Sequence, residues 1–318
     1  LQDLGVDYLG VAYVSEGREL RAHGIEIPVM VMNPLPQEFT EMVRDHLEPE
    51  LSSLSLLKEW ITYINSINLE GYPVHLEVDT GMKRLGFVEE EMKEVAGLLN
   101  SAGRMKVASV FSHLASSSAP EDDAFTREQF KRFGWWCNMF QGVLGYSPLR
   151  HMLNSGGIYR FPDHQYDMVR LGVGLYGAGM ESLPIQMQLK PVQTLMASIS
   201  QIKRVARSET VGYGRSGSLS APGRIAVINL GYADGLPRLA GHGRFAVRIG
   251  QDLCPVVGAV CMDMIMVDVS GCPDVRLGDP VEIYGTRHPI LHLARAGETI
   301  SYEILTANHQ RLRKVYKT

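Results

Sequence analysis

Through the first half of the chain, short apolar runs alternate with amphipathic stretches of helical period. Apolar runs bounded by turn residues are typical of strands buried on both faces of a parallel sheet. Strands that alternate with helices predict an α/β fold. Seven strands are expected, at residues 8–13, 28–32, 47–52, 74–78, 107–112, 151–155 and 168–176. Helices are expected at residues 16–23, 37–45, 56–67, 89–101 and 122–143.

Seven successive units favour a barrel over an open sheet, and a closed (β/α)8-type barrel needs eight strands. We expect the first βα unit to be missing, because Leu1 is not Met and residues 1–5 resemble a helix end that runs into a strand. The expectation is a fragment of a longer polypeptide whose front part was removed. The predicted barrel, incomplete at its start, covers residues 1–188.

After about Pro184 the helical stretches give way to strand-like runs and turns, which predicts a separate β domain over residues 189–318. Its strands are expected at residues 196–205, 224–229, 245–249, 254–260, 264–269 and 280–284. A terminal helical turn is expected over residues 301–307. The fold class is therefore α/β, an incomplete (β/α)8-type barrel followed by a C-terminal β domain.

The composition excludes some classes of function. Charged residues make up 21% of the chain and the net charge is −4, so the basic excess of a nucleic-acid-binding protein is missing. No apolar run approaches the roughly 20 residues that a membrane helix needs. The four cysteines form no CxxC pair and have no histidine at zinc spacing, so we expect reduced thiols, no metal and a cytoplasmic protein.

Polar residues follow several of the predicted barrel strands, at the end where barrel active sites are built. Glu77 and Asp79 end one strand and lead through Gly81 to Arg84, whose guanidinium suits an anionic or phenolate oxygen. A surface loop with a local salt bridge is the alternative. His113 ends the next strand, where a histidine satisfied within the core is equally compatible.

The last two predicted barrel strands carry a candidate phosphate site. Ser155 lies where small residues leave backbone N–H groups free at the start of a helix, although an ordinary helix cap is the alternative. Arg170 interrupts an apolar run, and a cation there is costly unless it is paired. Gly172 and Val173 would offer N–H groups beside Ser155, because barrels often bind phosphate between their last two strands.

Two polar turns follow strands of the β domain. Tyr232 lies in one of them and could act as an acid or base if nearby cations lower its pKa. Met262 and Asp263 lie in the other. From residue type alone, an ordinary β-turn is the favoured interpretation of each.

Taken in order, these stretches resemble the alanine racemase family of fold-type III enzymes, which use pyridoxal 5′-phosphate (PLP). The matching segments are VDTGMKRLGF at 78–87, NSGGIYRFP at 154–162, MVRLGVGLYG at 168–177, GYADG at 231–235, CMD at 261–263 and TISYE at 299–303. The resemblance spans nearly the whole chain and implies a barrel followed by a β domain.

The resemblance assigns cofactor contacts to matching positions. Ser155, Gly172, Val173 and Tyr302 would hold the PLP phosphate, and Arg170 would face the pyridine nitrogen. Because an arginine does not give up its proton, the ring nitrogen would stay unprotonated and the ring would be a weaker electron sink.

The remaining roles concern catalysis and the substrate. His113 would flank the cofactor ring, and Arg84 would contact the phenolic oxygen and the substrate carboxylate. Tyr232 would be a catalytic base given to the other subunit of a homodimer with shared active sites. Met262 and Asp263 would line the substrate entrance, also from the partner.

Two positions depart from the family pattern. The lysine that binds PLP covalently lies in a segment resembling K-A-(D/N)-A-Y-G-H-G, and none of the nine lysines here has that context. The chain alone is therefore expected to be inactive, and its parent could be a ligase–racemase fusion. Glu77 replaces a lysine that many relatives carry as a carbamate, and we expect it to pair directly with Arg84.

Other functions stay open at this stage. The expected function is interconversion of L- and D-alanine for peptidoglycan synthesis. A related racemase of another amino acid, such as serine or lysine, is the first alternative, and the feature that would discriminate it is the pocket width around Tyr232, Met262 and Tyr302. A non-catalytic PLP-binding protein usually lacks a β domain, and a fold-type III decarboxylase expects an acid in place of Arg170.

Overall fold

The computed structural model describes residues 1–101, 105–179 and 189–317. The chain divides into two compact units, Leu1–Leu171 and Gly172–Thr318. The domain boundary predicted between residues 188 and 189 adjoins the segment 180–188, which lies outside the described residues. That boundary stays a prediction.

Six parallel strands form the sheet of the first unit, in the order in which they occur along the chain. They are β1 (Leu9–Val11), β2 (Val29–Val31), β3 (Leu47–Leu51), β4 (Tyr72–Glu77), β5 (Met105–Phe111) and β6 (Leu149–His151). The helices are α1 (Val14–Ala22), α2 (Phe39–Arg44), α3 (Leu54–Ser66), α4 (Met92–Ser101), α5 (Asp123–Leu144) and α6 (Ser155–Arg160). The predicted α/β class and sequential parallel sheet are confirmed. In the described part of the chain the outer edge of β1 has no partner strand.

Helix α3 illustrates how the sequence builds this unit. The Ser53 hydroxyl accepts a hydrogen bond from a backbone N–H of the first turn, which caps the helix. Leu57, Trp60 and Ile64 lie at helical spacing and are fully buried. The Trp60 ring meets the ring of Phe39 edge-on, with centroids 4.8 Å apart. Burial of each such side chain contributes about 2–3 kcal/mol, so the apolar face fixes the helix in the core.

The prediction of a seventh strand over residues 168–176 is wrong. Met168 alone forms an isolated bridge, to His151, and Val173–Tyr176 is a 3-10 turn. Gly172 adopts φ −106° and ψ −101°, which is not a strand conformation. A glycine has no side chain to pack on a pleated surface, and the glycines of this segment favour a turn instead.

The second unit contains an antiparallel sheet of six strands in the order β10-β9-β12-β7-β8-β11. They are β7 (Leu195–Val205), β8 (Gly223–Ile228), β9 (Ala246–Ile249), β10 (Asp252–Pro255), β11 (Ile265–Asp268) and β12 (Pro280–Tyr284). Two helices follow the sheet, α7 (Ile290–Ala296) and α8 (Ser301–Thr306). The predicted β domain is confirmed.

Two details of this unit differ from the sequence prediction. The strand expected over residues 254–260 is shorter, because β10 ends at Pro255 and Gly258 adopts a left-handed φ of +70°. Helix α7 was not predicted; it starts at Ile290, directly after Pro289 at the N-cap.

All four cysteines are free thiols. The Sγ atoms of Cys254 and Cys272 lie 3.6 Å apart in the core of the second unit. No helix within residues 1–101, 105–179 and 189–317 is long and apolar enough to cross a membrane.

Candidate active site

The carboxyl ends of β4, β5 and β6 bring the polar residues of the first unit together. In the parallel register Glu77 lies opposite Phe111, and Phe111 lies opposite His151. Residues that follow these strands therefore meet at one edge of the sheet. His113 follows β5 by two residues, and Arg170 is tied to the loop after β6, where its N–H donates to the carbonyl of Leu153 at 2.9 Å.

Arg170 is the centre of this cluster. It does not lie in a strand, as the sequence predicted, but in irregular chain that precedes Gly172. Its Nη1 donates to His151 Nδ1 at 2.8 Å and to the His151 carbonyl at 3.2 Å. Its Nη2 donates to the carbonyls of Ser112 at 2.7 Å and Met152 at 3.3 Å. The paired cation predicted from the sequence is thus held by protein acceptors.

One donor of the guanidinium remains. Both Nη nitrogens of Arg170 have acceptors, whereas the described residues provide no hydrogen-bond partner for its Nε. The side chain is only partly buried, and its guanidinium lies 5.1 Å from the centre of the Phe111 ring. A ligand with a single acceptor atom could therefore receive the Nε–H without displacing any protein contact.

The histidines around Arg170 are neutral at pH 7. Burial, together with the charges of Arg170 and Arg84, lowers the pKa of His113 to about 4. Burial and the Arg170 charge hold the pKa of His151 well below its ordinary value. Burial also lowers the pKa of Arg170 itself to about 10, which leaves it a cation at neutral pH. His113 Nδ1 accepts a further hydrogen bond from Arg170 Nη2 at 3.3 Å.

Ser155 is buried at the start of α6, after β6. The strand predicted over residues 151–155 therefore ends earlier than expected. Asn154 caps the helix, because its Oδ1 accepts the N–H of Gly157 at 3.0 Å and the Ser117 hydroxyl at 2.6 Å. A Cβ on Gly156 would lie 2.6 Å from Ser118 Oγ and 2.9 Å from Ser117 Oγ, so a larger residue there would displace these two hydroxyls.

Glu77 and Arg84 do not form the ion pair that we expected. Glu77 is buried, Arg84 is exposed, and no ion pair joins them in the part of the chain that the structure describes. Glu77 instead lies beside Glu50, a buried residue of β3 that sequence reasoning missed. Burial and then the Glu77 carboxyl raise the pKa of Glu50 well above its ordinary value, against the opposing charge of Arg170.

A sequence signal for Glu50 was present. Glu48 and Glu50 alternate in the short apolar run Leu47–Leu51, and alternate residues of a strand point to the same face. All five residues of this strand are buried. Two acids on one buried face therefore indicate polar partners on the neighbouring strands.

In the second unit, Tyr232 lies on a turn that is tied to the loop of Met262 and Asp263. The Tyr232 N–H donates to the Cys261 carbonyl, and the Ala233 N–H donates to the Met262 carbonyl, both at 3.0 Å. Tyr232 is 43% exposed and Met262 is 53% exposed. Backbone hydrogen bonds therefore join these two turns within one unit, and the side chains of Tyr232 and Met262 are both open to solvent.

The remaining predicted residues of the second unit also lie close to one another. A Cβ on Gly179 would approach Val173 Cγ1 to 2.9 Å and Tyr302 Cε2 to 3.0 Å. Val173 is buried and Tyr302 is exposed. Gly172 immediately precedes the turn that carries Val173.

Comparison with known proteins identifies the family. The family model described as "Alanine racemase, N-terminal domain" matches residues 1–179, and the model described as "Alanine racemase, C-terminal domain" matches residues 192–316. The chain belongs to the alanine racemase family. The alanine racemase of Treponema denticola is 32% identical over 98% of this chain and 84% of its own length. That of Desulfosudis oleivorans is 34% identical over 98% of this chain and 83% of its own length.

Solved structures of alanine racemases agree with this assignment. The enzyme from D-cycloserine producing Streptomyces lavendulae superposes with a TM-score of 0.90 at 28% identity, over 100% of this chain and 85% of its own. The Bartonella henselae alanine racemase, solved with covalently bound pyridoxal phosphate, gives a TM-score of 0.89 at 28% identity, over 100% of this chain and 87% of its own. The resemblance stated from the sequence is confirmed, and so is the class of enzyme.

Proposed function

We propose that this chain binds PLP and belongs to an enzyme that interconverts L- and D-alanine. The observation that carries the proposal is Arg170, a cation whose Nη donors are all directed to protein acceptors while its Nε–H is left for a ligand. A pyridine nitrogen is one such single acceptor. The relatives and solved structures compared above are alanine racemases, which favours alanine over serine or lysine.

The residues of the first unit fit PLP in charge and in protonation. When bound, PLP draws electron density from the substrate Cα and makes its C–H bond acidic. Arg170 stays protonated at neutral pH and can donate to the ring nitrogen without transferring its proton. His113 is neutral and flanks this position. Ser155 supplies a hydroxyl for the phosphate, and the same role for Gly172, Val173 and Tyr302 follows from their match to the family.

Tyr232 is proposed to hold or accept the proton at one face of the substrate Cα. Its exposure in the single chain suits a residue that acts at the site of a second copy, so we infer a homodimer with shared sites. Arg84 would hold the substrate carboxylate, and Met262 and Asp263 would line the entrance from the partner copy. Arg84 is exposed, so it has freedom to take up this contact.

Covalent attachment of PLP would require a lysine of this chain in the position that the family uses. The nine lysines of the chain are all exposed in the structure, and none lies in the family's lysine segment. We infer that this chain alone binds PLP without a covalent bond and does not complete racemisation. The proposed cellular role is to supply, in the cytoplasm, D-alanine for peptidoglycan synthesis.

The test is a titration of the purified chain with PLP, followed by absorbance and by quenching of tryptophan fluorescence. Saturable binding is expected, with a clear loss of affinity in Arg170→Met and a smaller loss in Ser155→Ala. Both enantiomers of alanine should change the spectrum of the bound cofactor, whereas lysine should not. Absence of PLP binding, or equal affinity in Arg170→Met, would refute the proposal. Formation of D-alanine from L-alanine by this chain alone would refute the inference that it does not complete racemisation.

A further inference from the structure

A continuous chain of hydrogen bonds leads from Arg170 into the interior of the first unit. Arg170 Nη1 contacts His151 Nδ1, and His151 Nε2 lies 2.8 Å from Ser109 Oγ. Ser109 Oγ lies 2.6 Å from His75 Nδ1, and His75 Nε2 lies 2.9 Å from Glu48 Oε2. All four residues beyond Arg170 are buried, and each comes from a different strand, β3, β4, β5 or β6.

The direction of every hydrogen bond in this series is determined by the two groups at its ends, the Arg170 guanidinium and the Glu48 carboxylate. A guanidinium only donates, so His151 Nδ1 must accept from Arg170. The neutral His151 then carries its proton on Nε2 and donates it to Ser109. The Ser109 hydroxyl has one proton, which it donates to His75 Nδ1. His75 donates its Nε2 proton to the carboxylate of Glu48, which only accepts when ionised.

We infer that Ser109, His75 and Glu48 are positioning residues for Arg170, acting through the ring of His151. The Glu48 carboxylate fixes the His75 tautomer, which orients the Ser109 hydroxyl and thereby directs the His151 Nδ1 lone pair at Arg170. If every hydrogen bond of the series ran in the opposite direction, the Nδ1–H of His151 would face an N–H of Arg170, and two donors would be in contact. The fixed direction holds the Nη groups on the protein, so that Nε is the donor presented to a ligand.

A doubly protonated His75 paired with Glu48 is the competing arrangement. His75 Nδ1–H and His151 Nε2–H would then both donate to Ser109 Oγ. The Ser109 proton would have no acceptor, because the contacts of Ser109 Oγ in the described residues are these two imidazoles. In the neutral arrangement every polar proton of the chain has an acceptor. Tyr8, the aromatic neighbour of His75, packs edge-on against the ring at 5.6 Å and adds no charge, since burial and the Glu48 carboxylate raise its pKa to about 12.

The first experiment reads the tautomers directly and needs no cofactor. The full chain, labelled with ¹⁵N-histidine, is measured by two-bond ¹H–¹⁵N NMR correlation at pH 7, with His75→Gln and His151→Gln used for assignment. Both rings are expected as neutral imidazoles protonated on Nε2 only. A His151 ring protonated on Nδ1, or a doubly protonated His75, would overturn the inference.

The second experiment removes the Ser109 hydroxyl, which joins the rings of His75 and His151 by hydrogen bonds. Ser109→Ala is expected to give mixed His151 tautomers and to weaken PLP binding about tenfold, the effect of one lost hydrogen bond. Thr126→Val is the matched control, because the Thr126 hydroxyl is also buried but has no hydrogen-bond partner in the described part of the chain. Circular dichroism verifies that both variants fold. Equal tautomers and equal PLP affinity in Ser109→Ala and Thr126→Val would refute the role.

The far end of the chain gives a third comparison. Glu48→Gln keeps an oxygen acceptor for His75 Nε2–H, so His75 and His151 should both stay protonated on Nε2 only. Glu48→Leu removes that acceptor, and both rings should then show mixed tautomers. The binding readout rests on the proposed function, but the tautomer readout does not. If the unaltered chain fails to bind PLP, the proposed function fails and the NMR result still decides whether the chain of hydrogen bonds has one direction.

Discussion

Glu50 is fully buried on β3 beside Glu77, the last residue of β4, and the Glu77 carboxyl is the group to which a protonated Glu50 could donate a hydrogen bond. Desolvation and the neighbouring carboxyl both oppose ionisation of Glu50. The positive charges of Arg170 and Arg84 oppose this effect without cancelling it. Two buried acids therefore lie within the influence of the partly buried Arg170 cation. The proton held by Glu50 can be measured through the pH dependence of stability.

Stability should fall as Glu50 ionises. Its folded-state pKa lies above the unfolded value of 4.5, so the folded state binds more protons and loses stability as pH rises through the folded pKa. Glu50→Gln cannot ionise and should be more stable than the unaltered chain at pH 8, by about 1.4 kcal/mol for each unit of the pKa shift. The advantage should shrink at pH 5. Urea unfolding at both pH values measures it, with exposed Glu59→Gln as the control; an advantage independent of pH would contradict the assignment.

His113 predicts the opposite trend. Its folded-state pKa of about 4 lies below the unfolded value of 6.5, so its contribution to stability is complete above pH 6.5 and is lost as pH falls towards 4. Between pH 7 and pH 5 the unaltered chain should lose about 1–2 kcal/mol more than His113→Gln, allowing for the partial exposure of the ring. Exposed His23→Gln serves as the control. Parallel stability curves for all three proteins would show that the pKa of His113 is not lowered.

Much of the fold could be predicted because its signals are local. Five of the helices and six strands of the first unit follow from apolar periodicity within short windows. The functional importance of Arg170 could also be predicted, because a cation within an apolar run needs a polar partner whether or not the run forms a strand. The seventh strand was wrong since periodicity does not register that Gly172 has left the strand conformation.

The polar interior of the first unit could not be predicted in the same way. Glu48 and His75 are 27 residues apart in sequence, and Ser109 and His151 are 42 residues apart. Their contacts depend on strand register, which a single sequence does not determine. Each of these residues, considered alone, is equally compatible with a solvated position. The expected pairing of Glu77 with Arg84 was wrong because opposite charges in one segment do not reveal that Glu77 is buried and Arg84 is exposed.

Arg311 should hold the two turns that carry Tyr232 and Asp263. Its guanidinium donates to Asp234 Oδ1 and to Asp263 Oδ1, each at 2.7 Å. Burial alone would raise the pKa of Asp234, but the Arg311 ion pair and the N–H of Gly231 outweigh it and lower that pKa. Arg311→Leu should therefore speed amide hydrogen exchange across residues 231–235 and 261–263.

The control for this clamp is Arg313→Leu, which removes an exposed arginine that has no ion pair in the described part of the chain. Arg311→Lys keeps the charge but cannot bridge two carboxylates with a planar fork, and exchange should be intermediate. Exchange should also rise with salt in the unaltered chain, because the Arg311 side chain is 42% exposed and screened by ions. Unchanged exchange in Arg311→Leu would show that backbone hydrogen bonds alone hold the turns.

Thiol reactivity should distinguish Cys261 from the other three cysteines. Cys261 is partly exposed, whereas Cys137, Cys254 and Cys272 are buried. Burial raises the pKa of all four thiols, so thiolate is scarce everywhere and access decides the order of reaction. In the folded chain at pH 8, one thiol should react with a disulfide reagent well before the rest, and Cys261→Ser should remove that fast phase. Peptide mass spectrometry identifies the modified cysteine. A fast phase that persists in Cys261→Ser would show that one of the three buried thiols is accessible in solution and would contradict the prediction.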